Sequence, residues 1–359
     1  MKVLLVTGSS GGHIFPALAL MDRLKESGAD VLMVLPNKNN NNKILAESER
    51  IKYIHSFNLG LRLGGKNISG VYFFLLSAWD GLRAIVEFKP DVVIGFGSLY
   101  TVALLFWAWL FRIKTIIHEQ NVLPGRANRL LAKFVDRVAL SFARTNNYLR
   151  MPREKIAVTG NPVRKGLVEL SRKEALDFFN FTEGKFNILI TGGSQGAHKL
   201  NTVSFDVLSA WQEKSDLQLV HISGARDFKL LKQSYAQAGI ACKVFDFFPD
   251  MQYAYSVADL VICRAGATTI AELQRFNLPA LLIPYPFAYD HQLANARVLE
   301  DSGCALIIRD EDFCTEKLKA VIGGLLDNRQ RLTAMRQAYA RIRVLDAAGL
   351  LANEVLNLN

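Results

Sequence analysis

The sequence predicts an α/β protein of two Rossmann-like, doubly wound parallel-sheet halves. Short runs rich in Val, Ile and Leu alternate with helix-length amphipathic segments, and the runs are continuously apolar, as in parallel strands buried on both faces. A unit of strand, glycine loop, helix and Asp-led strand occurs twice in the same order. At 359 residues the chain exceeds one compact core, which makes two domains the expectation.

In the first half, strands are expected at Lys2–Val6, Val31–Leu35, Val92–Ile94 and Thr115–Ile117, and in the second at Ile188–Ile190, Val220–Ile222 and Leu260–Ile262. The first repeat opens on Val3–Gly12 and is echoed by Ile188–Ala197. The second pairs Asp91–Gly95 with Asp259–Cys263. The halves join near Asn161-Pro162-Val163-Arg164. Asn37–Lys43 is a polar low-complexity loop, and Leu332–Leu358 is helical in character and able to pack back across the junction.

Half the residues are hydrophobic and the formal net charge is +10, so the chain is foldable and attracted to anions. No RNA-recognition signature, zinc-finger spacing or long basic run is present, so nucleic acid is not expected as a partner. Cys242, Cys263, Cys304 and Cys314 lack CxxC or CxxH spacing, and Cys263 and Cys304 sit in apolar runs, which fits free thiols in a reducing compartment. Met1 leads directly into a strand pattern, so no signal peptide is expected. The uncharged run Leu99–Phe111 is shorter than the ~18–20 residues of a membrane span.

Gly8-Ser9-Ser10-Gly11-Gly12-His13 follows a strand and opens a helix, where free N–H groups and the helix dipole favour a phosphate or other oxyanion. NAD is disfavoured, because the next strand ends in Pro36-Asn37 without the acid that would hold a ribose. His13 is either a solvent-exposed helix-start histidine or a general base facing a cleft. Gly192–Ala197 repeats the loop with Ser194 and Gln195 as added donors. Arg264–Glu272 is a third strand-to-helix turn, with Thr268 and Thr269 at the helix start. Glu272 either complements the helix dipole or holds ribose hydroxyls. His118-Glu119-Gln120-Asn121 ends a parallel strand, where open α/β sheets bind ligands. Tyr289–Asn295 follows another strand end and offers Asp290, His291, Gln292 and Asn295 to sugar hydroxyls. The histidines lack ligand spacing, so no metal is expected. Ile68–Ala84 and Leu104–Ile113 carry Tyr72, Phe73, Phe74, Trp79, Phe106, Trp107, Trp109 and Phe111, with Arg62, Lys66, Arg83, Arg112 and Lys114 nearby. Such segments are either an interfacial membrane patch or ordinary core helices.

Taken in order, these motifs resemble a known family. They are Gly11-Gly12-His13 with Pro16-Ala17, His118–Asn121 with Pro124-Gly125 and Asn128-Arg129, Gly160–Arg164, Gly192–Ala197, Arg264–Thr269 and Asp290-His291-Gln292. The chain is similar to the MurG family, the UDP-N-acetylglucosamine:undecaprenyl-diphospho-muramoylpentapeptide N-acetylglucosaminyltransferases of peptidoglycan synthesis. The resemblance implies a GT-B fold, two Rossmann-like domains facing across a cleft, with no metal and no cofactor. It also implies an N-terminal acceptor- and membrane-facing domain over 1–161, completed by a C-terminal helix at about 342–359, and a UDP-sugar-binding domain over 162–341. The reaction implied is inverting transfer of N-acetylglucosamine to the muramoyl 4-hydroxyl of lipid I at the cytoplasmic face of the membrane. Cell-wall synthesis proteins are further candidate partners.

By the same resemblance, Phe248, Arg264, Ala267, Thr268, Thr269 and Glu272 lie near uracil and ribose. Ser194 with Thr268 and Thr269 meets the diphosphate, beside Gln195, while Gln292 and Asn295 reach the sugar. Ser10, Gly11, Gly12, Asn121 and Arg164 close on the donor from the first domain. His13 is the candidate base, and Glu119 the carboxylate beside it. Two departures stand out. Ser9 and Ser10 replace Gly and Thr of the family's first loop, and Gly97-Ser98-Leu99-Tyr100 replaces its Gly-Gly-Tyr loop. The alternatives are a GT-B glycosyltransferase acting on another lipid acceptor, a UDP-N-acetylglucosamine 2-epimerase, and a catalytically silent scaffold.

Overall fold

The computed structural model describes residues 1–37, 50–56, 66–193, 195–286, 290–342 and 346–358. Lys38–Lys43, Arg62, Ser194 and Tyr289, singled out above, lie outside them. The chain divides into two compact units, Met1–Arg164 with Asp346–Asn359, and Lys165–Leu345.

The first unit holds a seven-stranded parallel sheet among the described residues. Its strands are Lys2–Val6 (β1), Asp30–Pro36 (β2), Ile51–Ile54 (β3), Val92–Gly95 (β4), Lys114–Glu119 (β5), Arg137–Leu140 (β6) and Ile156–Val158 (β7), in the order β3-β2-β1-β4-β5-β6-β7. Val3 of β1 pairs with Val31 on one side and Val92 on the other. The second unit repeats the plan with Phe186–Thr191 (β8), Leu217–Ile222 (β9), Ala241–Phe245 (β10), Leu260–Cys263 (β11), Ala280–Leu282 (β12) and Ala305–Ile307 (β13). Its order is β10-β9-β8-β11-β12-β13. In each sheet the winding reverses between the first strand and its fourth-strand neighbour, β1 beside β4 and β8 beside β11. The loops leaving those two strands diverge to opposite faces and open a crevice.

The period of two along a strand decides which helices each face meets. Val3 and Leu5 pack with Ile14 and Leu20 of the Gly11–Glu26 helix. Leu4 and Val6 pack on the other face with Leu104 and Leu105 of the Leu99–Leu110 helix. The last helix, Ala347–Leu356, inserts Leu351 and Val355 into the first of these cores. Arg23 to Asp346 (3.3 Å) and Arg137 to Glu354 (3.2 Å) hold it there.

The aromatic segments divide between core and surface. In the Leu99–Leu110 helix, Leu104, Leu105 and Ala108 are buried, whereas Phe106, Trp109 and Leu110 are about half exposed, as is Phe111 just beyond it. The Lys66–Phe88 helix packs beside it, exposing Tyr72 and Trp79. Gly81 makes that approach possible, because a Cβ there would lie 2.7 Å from Leu104. Trp107 Nε1 donates to the Ala78 carbonyl at 3.0 Å, so this aromatic binds the helices together. Phe106 and Trp109 also line a purely apolar cavity of about 270 Å³ with Leu130 and Phe134. Among the described residues, no helix is long and apolar enough to cross a membrane.

Candidate functional site

In the first unit, the crevice at the β1–β4 reversal is formed by the Gly8–His13 turn and the Gly97–Leu99 turn. Ser10 precedes the Gly11–Glu26 helix in extended conformation, the usual N-cap geometry, yet its hydroxyl makes no cap. It lies 3.2 Å from His13 Nδ1 instead. The Gly11 and Gly12 N–H groups therefore stay uncapped, while His13 N and Ile14 N donate to the Ser10 carbonyl (both 3.0 Å), and the imidazole is held by its Nδ1 edge. Gly8 and Gly97 are required here: a Cβ on Gly8 would lie 2.8 Å from His13 Nδ1, and one on Gly97 (φ +83°) 3.4 Å from Nε2. Burial holds the His13 pKa down at about 4, so the ring is neutral near pH 7.

Glu119 ends β5 and is only 2 % exposed. Its carboxylate accepts from Asn121 N (2.9 Å), Gly125 N (2.9 Å) and Asn128 Nδ2 (2.8 Å), with Asn121 Nδ2 at 3.3 Å. This side chain shapes the Gln120–Asn128 loop from within rather than standing open in the crevice. Asn121 is thereby set at the loop surface. Arg164 places its guanidinium 4.4 Å over the Phe15 ring, one turn from the glycine loop. Asn161 went unmarked among the sequence candidates. It is 6 % exposed, and neither end of its amide has a hydrogen-bond partner. Its motif was legible, but burial of an unsatisfied amide is visible only in three dimensions.

The second unit builds its crevice from the described residues of the first glycine turn, Thr191–Gly193 and Gln195–Ala197, and from Arg264–Thr269. Gly196 (φ +75°) leaves no room for a side chain, since a Cβ would lie 2.1 Å from the Ser223 carbonyl oxygen. Asn201 Nδ2 clamps that carbonyl at 2.8 Å, while Asp227 bonds Asn201 (2.8 Å) and His198 (3.0 Å). Gln195 is exposed on the loop. Gly266 precedes the Ala267–Phe276 helix and supplies no cap, so its first turn, with Thr268 and Thr269, is open to an anion. Thr268 Oγ1 is buried without a partner.

The other sequence candidates in this unit fall into two groups. Gln292 Oε1 accepts from Ala265 N (3.1 Å) and Tyr285 N (2.9 Å), tying two strand-end loops together and leaving its amide nitrogen free of that task. Glu272 accepts from the Tyr255 hydroxyl at 2.7 Å. Arg264, Asn295 and Phe248 lie deeper than their expected ligand contacts suggest. Arg264 bonds the Ile283 and Pro284 carbonyls and Asp310. Asn295 is fully buried and reaches the Ala265 carbonyl at 3.4 Å. Phe248 packs among Phe178, Phe179 and Phe245. Among the described residues, no group of three or more His, Cys, Asp or Glu is arranged to hold a metal.

Two buried histidines brace the crevices in neutral form. His118 Nε2 lies 3.0 Å from the Gly160 carbonyl and so carries the proton, leaving Nδ1 to accept from Gln120 Nε2 at 3.1 Å. Desolvation lowers its pKa to about 4, and that of His221, held by Tyr235 and Asn201, to about 3. An unfolded histidine titrates near ~6.5, so the unfolded chain gains protons first as pH falls. Stability contributed by a neutral His118 is therefore complete above pH ~6.5 and lost toward pH ~4, on the order of 3 kcal/mol. The urea midpoint should fall clearly between pH 7.5 and 5, and less so in His118→Gln. A pH-independent midpoint would contradict the neutral, buried assignment.

Comparison with known proteins places this geometry. Residues 3–140 match the glycosyltransferase family 28 N-terminal domain and residues 187–351 the glycosyltransferase family 28 C-terminal domain. A relative from Halothermothrix orenii, the UDP-N-acetylglucosamine–N-acetylmuramyl-(pentapeptide) pyrophosphoryl-undecaprenol N-acetylglucosamine transferase, is 37 % identical, with 95 % of each chain covered. The same-named protein of Syntrophotalea carbinolica is 38 % identical over 97 % of this chain and 96 % of its own. Among solved structures, Acinetobacter baumannii MurG aligns with a TM-score of 0.78 at 29 % identity, covering 99 % of this chain and 100 % of that one. The UDP-GlcNAc 2-epimerase of Neisseria meningitidis shares the fold alone, with a TM-score of 0.68 at 15 % identity and full coverage of both chains. Two Rossmann-like units in one chain, matched to these domains, constitute the GT-B fold.

Proposed function

The chain belongs to glycosyltransferase family 28, and on that premise we propose that it moves N-acetylglucosamine from UDP-N-acetylglucosamine to the muramoyl 4-hydroxyl of lipid I, giving lipid II. The observation that carries the reading is the Ser10–His13 pair, a neutral imidazole fixed at an uncapped helix start in a chain of this family.

In this reading His13 Nε2 takes the proton from the acceptor hydroxyl as its oxygen attacks the anomeric carbon. The new carbon–oxygen bond forms on the face opposite UDP, the bond to the β-phosphate breaks, and configuration inverts. The leaving diphosphate gains negative charge, which the open helix starts at His198 and Ala267 stabilise, assisted by Ser194, Gln195, Thr268 and Thr269. Glu272 holds the ribose while Gln292 offers its free amide nitrogen to the sugar. Arg264, Asn295 and Phe248 act from behind, by fixing the backbone that lines the donor site. Ser10, Gly11, Gly12, Asn121 and Arg164 serve the first unit's side, and Glu119 positions the loop carrying Asn121. The 2-epimerase reading is weakened by Glu119, whose carboxylate is already spent on N–H donors of its own loop.

Transfer of label from UDP-N-acetylglucosamine to a lipid I analogue tests the proposal. No transfer would sink it, and loss of transfer on adding chelator would sink the metal-free mechanism. Transfer to diacylglycerol in preference to lipid I would favour the other-acceptor alternative.

The membrane contact belongs to the same proposal. Half-exposed Tyr72, Trp79, Phe106, Trp109 and Phe111 stand near Arg83, Arg112 and Lys114, a combination suited to an anionic lipid surface at the cytoplasmic face. The double variant Trp79→Ser/Trp109→Ser should reduce co-sedimentation with phosphatidylglycerol vesicles about tenfold or more without lowering the thermal midpoint. Retained sedimentation would move the contact elsewhere.

A further inference from the structure

Ser98 occupies a conformation that serine pays for without structural return. Its φ of 79° and ψ of 162° lie in a region that is essentially glycine's. The other described non-glycine residues of positive φ cluster at 51–58°, the ordinary left-handed region. Ser98 immediately precedes the Leu99–Leu110 helix, yet its hydroxyl does not cap it. That hydroxyl is buried and has no hydrogen-bond partner. Glycine would hold the same turn with no strain, so neither backbone, cap nor hydrogen bonding accounts for the Cβ and Oγ.

Their location does. A Cβ built on Gly8 would meet His13 Nδ1 at 2.8 Å and Ser98 Oγ at 3.2 Å, so these two atoms border one small space. Ser10 Oγ occupies the other side of the same ring nitrogen at 3.2 Å. We propose that Ser98 is a positioning residue for His13, its unpartnered hydroxyl standing ready as the alternative acceptor to Ser10 for the single Nδ1 hydrogen, so that Nε2 stays unprotonated toward the reacting hydroxyl. The strained turn is what carries Oγ to that edge. A relaxed serine at the helix start would instead turn its hydroxyl onto the helix N–H groups. The role rests on reading His13 as the base.

Two substitutions separate the strain from the hydroxyl. Ser98→Gly removes both and should raise the thermal midpoint of the first unit by about 2–6 °C. Its turnover should fall about tenfold while the donor KM stays within twofold. Ser98→Ala keeps the strained Cβ and should lose turnover equally with no rise in midpoint. Wild-type turnover in either variant overturns the proposal, as does a Ser98→Gly protein no more stable than its parent. The side-chain ¹⁵N resonances of His13, read in ligand-free protein, should shift in both variants, and unchanged resonances also overturn it. If the unsubstituted protein transfers no sugar, the functional reading falls, and the resonances still decide whether Ser98 touches His13.

Discussion

His13→Ala should lower turnover by about 10²–10⁴-fold while leaving UDP affinity nearly unchanged. The magnitude is that of a positioned general base, and the separation of effects follows from the architecture. His13 stands on the first unit's glycine turn, bonded to Ser10. The turns proposed for the donor, Thr191–Ala197 and Arg264–Thr269, have their own supports in the second unit, Asn201 with Asp227 and Gln292. Removing the imidazole disturbs none of those bonds. Kinetics with a lipid I analogue beside calorimetric titration of UDP would check this. An equal loss of turnover and UDP affinity would demote His13 to a structural part.

Glu119→Ala should be costly in a different currency. The substitution strands Asn121 N, Gly125 N and Asn128 Nδ2 in a buried loop. At ~1–3 kcal/mol for each unsatisfied group, only partly relieved by entering water, the first unit should lose about 3–5 kcal/mol. The corresponding fall in thermal midpoint is on the order of 10 °C. Glu119→Gln keeps one acceptor oxygen but turns an amide toward N–H donors, so it should fall between Ala and the parent in stability and activity alike. A Gln variant that folds with undiminished stability yet has no turnover would show that Glu119 carries a proton, contrary to its placement.

Much of the fold was legible because it depends on local repetition. Continuous apolar runs such as Ile188–Ile190, short and followed by glycine turns, read as strands buried on both faces, and every strand expected from such a run is present in a parallel sheet. Glycine loops at Gly8–His13 and Gly192–Ala197 mark strand-to-helix turns because a side chain could not fit, as the 2.1 Å clash at Gly196 shows. The aromatic helices were ambiguous for a physical reason. Phe106, Trp107 and Trp109 are alike in hydrophobicity, and the period of a helix does not say how many of its faces have neighbours. Gly81 opposite Leu104, and Ala78 accepting from Trp107, decided which aromatic packs and which stay exposed.

The candidate site divides along the same line. The sequence by itself determined the α/β class, the duplicated strand–glycine loop–helix unit and the ordered motifs that mark the family, since each is a property of neighbouring residues. Only the tertiary structure decided the work of individual side chains. It spent the Glu119 carboxylate on its own loop, drew Arg264 onto Asp310 across 46 residues of sequence, and left Asn161 buried with its amide unsatisfied. It also buried the Ser98 hydroxyl without a partner, at the same space above Gly8 that His13 Nδ1 borders. Hydrogen bonds and desolvation act over a few ångströms of space, and the sheet order that sets those distances places β4 against β1 with two strands and their helices between them in sequence.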